Sequence, residues 1–588
     1  ILDGSDFVTD GDGTGVVHLA PGFGEDDQRV CEANGIELVC PVDHAGRFTD
    51  EIFDIDGLSL RGKNVIEENI EEFGRFGEVN ELVTKWIRAK GNLVGNPDQI
   101  KHNYPHCWRT DKPLIYKAVP SWYIEVTKFK DRMVELNQQI NWIPENVKNG
   151  IFGKWLDNAR DWSISRNRFW GTPIPIWKSK SGKIKVFGSI AELEAASGQK
   201  ITDLHRPYID QIIITENGEE YTRVEDVFDC WFESGSMPYA QAHYPFENKD
   251  WFEKHFPADF IVEYVAQTRG WFYTLMVLST ALFDKPPFLN CICHGVVLDD
   301  KKQKLSKRLN NYADPKALFD TYGADALRWF MMSSPVMRGQ ELYIDKEGKF
   351  IRDVVRLAIK PIWNAYNFFC LYANADGIQA SETRNQKPEH LNIMDRYILA
   401  KCKEAVEKIK ISLDNYDTPS ATEAVSNFFE VLNNWYIRRN KERFWKSEHD
   451  EDKISAYNTL YTILTLMCRS VACLLPLTLE EIYQGLGNQK SVHLENFPDV
   501  MAWNSDESLQ GKMVEVRDIC NTALAVRSAG NSRVRQPLLS LSIISEKPIM
   551  NESDLDMIIC DELNVKKVYR KNDVSEYANF NLKINFPI

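Results

Sequence analysis

The order of apolar runs between residues 260 and 333 constrains this chain more than any other feature. A strand-like run at 260–263 leads into a helical pattern at 270–283, and a second strand follows at 291–298. That strand ends on Asp299-Asp300, a basic loop comes next, and helical periodicity resumes over 315–333. Strand, helix and strand in this order imply a parallel sheet. Its loops gather at the C-terminal edge, where such sheets bind ligands.

At 588 residues the chain exceeds the size at which one hydrophobic core stops growing, ~250–300 residues, so several domains are expected. Residues 1–100 mix short β-type runs, such as 15–19, with Gly and Asp turns, an α+β module. Residues 101–385 alternate aromatic-rich strands with helices. Within 386–500, the stretches 393–413, 419–443 and 454–475 carry apolar residues at three- and four-residue spacing, which predicts a helix bundle. Residues 501–588 open with a helix at 513–528 and continue as a strand-like 538–544, a small α+β appendix.

Composition mainly excludes. Hydrophobic and charged fractions of 43% and 26% rule out disordered and collagen-like classes. No apolar run approaches the ~18–20 residues that cross a bilayer, and the stretch 464–477 is broken by Arg469 and Pro476. Twelve cysteines without a regular framework fit a reducing compartment, hence the cytoplasm. Cys291-Ile292-Cys293-His294 lacks the C-x2-C spacing of a metal site. The net charge of −15 does not exclude RNA, because phosphate attraction acts over a Debye length of ~8–10 Å and needs only a local basic surface.

Six segments carry chemistry. In the basic loop Lys304-Leu305-Ser306-Lys307-Arg308, five of the eight residues 301–308 are cationic, and Asp314-Pro315 marks the next helix. Such a loop by itself is most often a solvated surface. At the C-terminal edge of a parallel sheet it can instead close over a nucleotide triphosphate and neutralise charge growing on phosphate oxygens. The aromatic run Ser163–Pro175 reads otherwise as a core strand and turn. The segments 229–236 and 263–271 hold Trp231, Trp271, Glu263 and Gln267. Aliphatic walls and a carboxylate suit an amino acid, although tryptophans are more often core. Gly13–Asp27 contains His18 and Asp27 among glycines that allow close backbone approach. Finally, 434–443 interleaves Trp435, Arg438, Arg439 and Arg443 on one helix. Such a face is either salt-bridged to its surroundings or suited to RNA backbone and base stacking.

Together these segments resemble the class I aminoacyl-tRNA synthetases, and within them the isoleucyl, valyl and leucyl subgroup. Lys304–Arg308 is similar to the Lys-Met-Ser-Lys-Ser signature, with Leu305 for Met and Arg308 for the last Ser. Ser163–Pro175 looks like the element by which the chain returns from the inserted editing domain. The resemblance implies a multidomain α/β protein: the second half of a Rossmann-like catalytic fold, part of an α+β/β-barrel editing insertion, a helical anticodon-binding bundle and the α+β appendix. It places ATP against Lys304, Ser306, Lys307, His294 and Gly295, with Lys304 and Lys307 catalytic and Mg2+ carried on the nucleotide. Trp231 and Trp271 wall an isoleucine side chain, while Glu263 and Gln267 face the adenylate. One departure stands out: the family usually shows Glu-Gly-x-Asp-Gln where this chain has Glu263-Tyr264-Val265-Ala266-Gln267.

Residues 13–27 resemble the proofreading site of isoleucyl enzymes, with Asp27 anchoring the ammonium of a mischarged amino acid and His18 beside the ester. Isoleucyl enzymes are the known example of why such a site is needed, since one methylene discriminates by only ~1–3 kcal/mol. His18 also separates the chain from valyl enzymes, the alternative, which usually carry lysine there. The bundle segment with Trp435, Arg438, Arg439 and Arg443 resembles an anticodon-binding surface for tRNA(Ile). Tyr104–Thr110 offers one cysteine and Trp177–Ser179 none, so no zinc is expected. No His-Ile-Gly-His element occurs, and the chain opens on Ile1 without methionine. The first Rossmann half is therefore expected upstream of Ile1. A non-catalytic, tRNA-binding fragment is the alternative for this chain by itself, which is otherwise expected to be a monomer away from membranes.

Overall fold

The computed structural model describes all residues except 1, 3–7, 9–10, 12–14, 53, 55–56, 67–76, 96–102, 108–109, 379–390, 502, 504–505, 545–551 and 572–588. Gly13, Thr14, Trp108, Arg109 and the expected boundaries at 100/101 and 385/386 lie outside the described residues. The chain divides into two compact units. One takes Ile1–Tyr123 and Ser163–Arg166, the other Ile124–Trp162 and Asn167–Ile588.

The first unit contains α1 (Glu25–Ala33) and α2 (Gly77–Ala89). Glu25, Asp26 and Asp27 fill the first turn of α1, where carboxylates meet the positive end of the helix. The unit runs past residue 100 because the later backbone lies on the earlier one. Ala118 N donates to Gly22 O at 2.8 Å, and the Lys117 ammonium donates to Val42 O. Residues 163–166 rejoin it through Ile164 N to Trp122 O (2.8 Å) and Trp122 N to Ser165 Oγ (2.9 Å). The strand expected at 15–19 does not form, and its Val16 is 81% exposed, so no apolar face is buried there.

The second unit holds the parallel sheet. Strand β1 (Asn141–Ile143) is followed by a small antiparallel sheet of β2 (Ile176–Ser179), β3 (Ile184–Val186), β4 (Ile214–Glu216) and β5 (Glu219–Arg223), in the order β3-β2-β5-β4. Trp177 anchors that sheet, donating its Nε1 to Ile212 O at 2.8 Å inside an apolar cluster with Leu193, Ile209 and Tyr221. After α3 (Cys230–Ala240) come β6 (Ala258–Tyr264), α4 (Trp271–Phe283) and β7 (Phe288–His294). Both β6 and β1 pair with β7 in parallel, with Glu263 opposite Cys293 and Tyr264 opposite His294. Helix α4 is buried from Phe272 through Thr280, packing on α3 and, through Phe272, on Phe288 of β7. The core of the sheet centres on Trp142, whose ring meets those of Phe152, Phe272 and Phe288 at 4.9, 5.6 and 5.8 Å. Cys291 and Cys293 are buried in the same cluster. Burial pushes the Cys293 thiol up to about 12 and the Cys291 thiol well above its usual range, which disfavours the thiolate a metal needs.

The strand expected over 291–298 is two strands. Gly295 N donates to Val336 O at 2.8 Å, and a Cβ on Gly295 would lie 1.7 Å from Gln340 O. The chain therefore leaves β7 at His294 and resumes as β8 (Val297–Asp299), parallel to β9 (Leu342–Ile344). The helix expected over 315–333 is likewise α5 (Pro315–Tyr322) and α6 (Ala324–Ser333), parted by Gly323 at φ +85°. Gly295→Ala should destabilise the purified chain by ~1–3 kcal/mol, the usual cost of overpacking, because the clash is with backbone. A lowered urea midpoint is the measurement, and an unchanged midpoint would contradict the close approach.

The bundle comprises α7 (Lys360–Asp376), α8 (Ile393–Asp414), α9 (Thr418–Val431), α10 (Arg438–Trp445), α11 (Glu451–Val471) and α12 (Pro476–Gly485). The single helix expected over 419–443 is interrupted by a π-helical turn at Leu432–Ile437. α13 (Glu507–Ala529), β10 (Leu541–Ile544), α14 (Ser553–Leu563) and β11 (Val568–Lys571) form the appendix, with β10 and β11 parallel. One apolar core runs through all of this, from Trp329 on α6 to Val565 beyond α14. Among the described residues no helix is long and apolar enough to cross a membrane.

Candidate active site

The C-terminal ends of β6, β7 and β8 collect the residues expected to handle nucleotide and amino acid. Glu263 and Tyr264 end β6, His294 ends β7, and Gly295 follows it. The Tyr264 and His294 rings lie 6.3 Å apart, and His294 Nδ1 is 2.8 Å from Gly295 O. Gln267 Oε1 accepts from Trp271 N at 2.9 Å, satisfying an N-terminal amide of α4. Trp271 Nε1 donates to Ser234 O at 3.0 Å, which ties α4 to α3. At Gly270 the wall closes: an added Cβ would lie 2.7 Å from Gln267 Oε1 and 3.1 Å from the Trp231 ring. Trp231 and Gln267 therefore both crowd Gly270, Trp271 is bonded to Gln267, and Trp231 is 40% exposed. Asp229 caps α3 by accepting from Trp231 N at 3.2 Å.

Asp299 opens the basic loop at the end of β8. Lys304 places its Nζ 5.3 Å over the Tyr264 ring. Ser306 N donates to Asn311 Oδ1 at 2.9 Å. Lys307 is exposed and, among the described residues, has no hydrogen-bond or ion-pair partner. Tyr264, His294 and Lys304 thus meet at the C-terminal edge of the sheet.

In the other unit, Asp27 Oδ2 accepts from Ala20 N at 2.9 Å, so this carboxylate shapes the Ala20–Gly24 turn from within α1. His18 is exposed two residues before that turn.

The arginine-rich segment is placed differently from expectation. Trp435 is 5% exposed, with the Arg439 and Arg517 guanidinium groups 5.3 and 5.7 Å from its ring. Arg443 donates to both oxygens of the fully buried Asp395, each at 2.8 Å. Arg439 pairs with Glu562 at 2.8 Å and its side chain is 10% exposed. Arg438 pairs with the same carboxylate at 2.6 Å but stays 48% exposed. Trp435, Arg439 and Arg443 are thus interior links between helices rather than an RNA-facing surface, because distant carboxylates claim the cations.

Residues 26–343 match the family model described as tRNA synthetases class I (I, L, M and V), which covers more than half of the chain. The chain belongs to that family. In this synthetase chain, residues 395–543 also match a model described as anticodon-binding domain of tRNA ligase. Isoleucine–tRNA ligase of Rickettsia bellii (strain OSU 85-389) is 59% identical over 614 residues, covering 99% of the chain and 53% of the relative. The Rickettsia prowazekii (strain Madrid E) ligase is 57% identical over 620 residues, covering 99% and 55%. The synthetase chain therefore spans about half the length of the curated relatives it matches. A solved Mycobacterium tuberculosis methionyl-tRNA synthetase bound by methionyl-adenylate is 17% identical, with a TM-score of 0.48 over 66% of this chain and 67% of that one.

Two side chains of this candidate site escape motif reading. Asp299 is buried at the root of the lysine loop, and Asn311 joins it from beyond the loop at 2.8 Å. Asp299 alone had a sequence signal, an acid ending a strand before a basic run.

Proposed function

We propose that this chain is part of an isoleucine–tRNA ligase, which activates isoleucine with ATP and transfers it to tRNA(Ile). The observation that carries this reading is the 59% identity to a protein of that name over 99% of the chain. The packing of Trp231, Gln267 and Trp271 around Gly270, and of Lys304 on Tyr264 at the end of β6, supports it. The isoleucine carboxylate attacks the α-phosphate of ATP, the bond to the β-phosphate oxygen breaks, and pyrophosphate leaves with Mg2+. A ribose hydroxyl of the terminal adenosine then takes the acyl group and AMP leaves. No protein nucleophile is required, so positioning and electrostatics carry the rate. Lys304 and Lys307 stabilise phosphate charge, and Ser306, His294 and Gly295 line the nucleotide. Trp231 and Trp271 wall the isoleucine side chain, with Glu263 toward the ammonium. Because Gln267 Oε1 is engaged by Trp271 N, its NH2 group is the end that donates to the adenylate. Arg438 is the one residue of the expected RNA quartet that keeps a half-exposed guanidinium for tRNA. The enzyme is read as a cytoplasmic monomer that needs no zinc.

ATP–pyrophosphate exchange by the complete enzyme tests the assignment. Isoleucine should support it best, and a preference for valine or leucine would sink it.

His18 and Asp27 are read as the proofreading pair, with Asp27 anchoring the ammonium of a valyl ester. Asp27→Ala in the complete enzyme should abolish hydrolysis of valyl-tRNA(Ile) while adenylate formation survives, since the two sites lie in separate units. Deacylation at the parental rate would move proofreading to other residues.

A further inference from the structure

The lysine loop is held by a clamp at its base. Asp299 is 4% exposed, and its Oδ1 accepts from Lys301 N at 2.9 Å and from Gln303 N at 2.7 Å. Its Oδ2 accepts from Asn311 Nδ2 at 2.8 Å, across twelve residues of chain. Asn311 spends the rest of its amide on the loop itself. Its Oδ1 accepts from Ser306 N at 2.9 Å, and its Nδ2 also reaches Lys304 O at 3.2 Å. One side chain therefore grips the backbone on both sides of Leu305. A β-bridge between Leu298 and Lys304 adds a further link. The Gln303 amide, with Asn311 and the Lys301 amide, holds the Asp299 carboxyl below the usual carboxylate range, so the acceptor stays ionised near neutrality.

Lys304 Nζ sits 5.3 Å over the ring of Tyr264, the residue that stands where the family pattern has glycine. A cation over an aromatic face is attracted by the ring quadrupole. A lysine on an unrestrained loop would sample many positions and lose rotamer and backbone freedom on reaching this one. The clamp removes part of that cost before substrate arrives.

We propose that Asp299 and Asn311 are positioning residues of the lysine loop, presetting its backbone so that Lys304 seats on Tyr264 while Lys307 projects toward the nucleotide phosphates. The inference rests on the ligase reading above. It assigns neither residue a contact with substrate; both act through the lysines.

Isoleucine-dependent ATP–pyrophosphate exchange by the complete enzyme tests it. Asn311→Ala should lower kcat by roughly 10-fold to 100-fold, the scale of a small misplacement of a reacting group, with KM for isoleucine unchanged. Placed on Lys307→Ala, the same substitution should cost little more, because coupled residues lose their effects together. Asp299→Asn should impair exchange, and adding Asn311→Asp should recover part of the loss by restoring a donor–acceptor pair. If Asn311→Ala does not fold, Asn311→Ser, too short to span Leu305, carries the same comparison. Additive losses on the Lys307→Ala background, or a matching rise in isoleucine KM, would overturn the positioning role. Absence of isoleucine-dependent exchange in the unaltered enzyme is a different result, and overturns the ligase reading itself.

Discussion

On the proposed ligase reading, Lys307→Ala in the complete enzyme should slow isoleucine-dependent pyrophosphate exchange by ~10²–10³, the loss expected when one preorganised electrostatic group is removed from a transition state. Folding stability should not change. The Lys307 side chain is exposed and has no partner among the described residues, so its removal strands no other group. Isoleucine binding measured without ATP should also be nearly unaffected, since Trp231 and Trp271 belong to the wall at Gly270 rather than to the loop. A charge that matters only while pyrophosphate departs must appear in kcat. An exchange rate equal to that of the parent would remove Lys307 from the chemistry.

The second large effect concerns stability. Arg443→Ala should destabilise the chain by ~3–5 kcal/mol, because it leaves a buried charge uncompensated. Asp395 is 0% exposed and accepts from Arg443 Nη1 and Nη2, from Tyr436 Oη at 2.6 Å and from Ser455 Oγ at 3.2 Å. Removing the arginine leaves two neutral donors around a carboxylate that water does not reach. Replacing both partners together, Arg443→Met with Asp395→Leu, should cost far less, since neither charge is then stranded. Denaturant unfolding of the three proteins gives the comparison. A residue that served only RNA would weaken tRNA binding and leave the unfolding curve in place.

These two arginine and lysine sites mark how much of the molecule was legible in its sequence. The β-α-β order around the lysine loop is readable because hydrophobic periodicity is local; β6 and α4 lie within about two residues of their expected ends, while β7 starts and ends earlier than expected. Gly295 and Gly323 cut the expected strand over 291–298 and the expected helix over 315–333 in two. Periodicity runs through both breaks, since the clash with Gln340 and the positive φ are not written in it. The candidate residues Gln267 and Trp271 sit in one short motif, and Trp231 reaches Gly270 from another.

The basic helix was read as an RNA face because arginines interleaved with aromatics look the same whichever way they point. What decides the outcome is a carboxylate 48 residues away for Arg443 and one 123 residues away for Arg439. Asp299 and Asn311 were missed for the same physical reason. Their partnership spans the loop, and only Asp299 carries a local signal.

The core that runs unbroken from Trp329 to Val565 has a consequence for how such enzymes recombine. A crossover between two homologous genes anywhere inside that interval yields a hybrid in which side chains from both parents must interdigitate in one interior. Interiors tolerate little change in volume, so most such hybrids begin with a deficit wherever the parents differ in size. Further mismatches arise where Arg438 and Arg439 from one parent would face the Glu562 of another. Asp325 extends the block at its front, accepting from Leu477 N and Thr478 N on α12 at 3.1 and 2.6 Å. Breakpoints should therefore survive selection before α6 or within the first unit, and the stretch from Ala324 to Val565 should descend as a single linkage block.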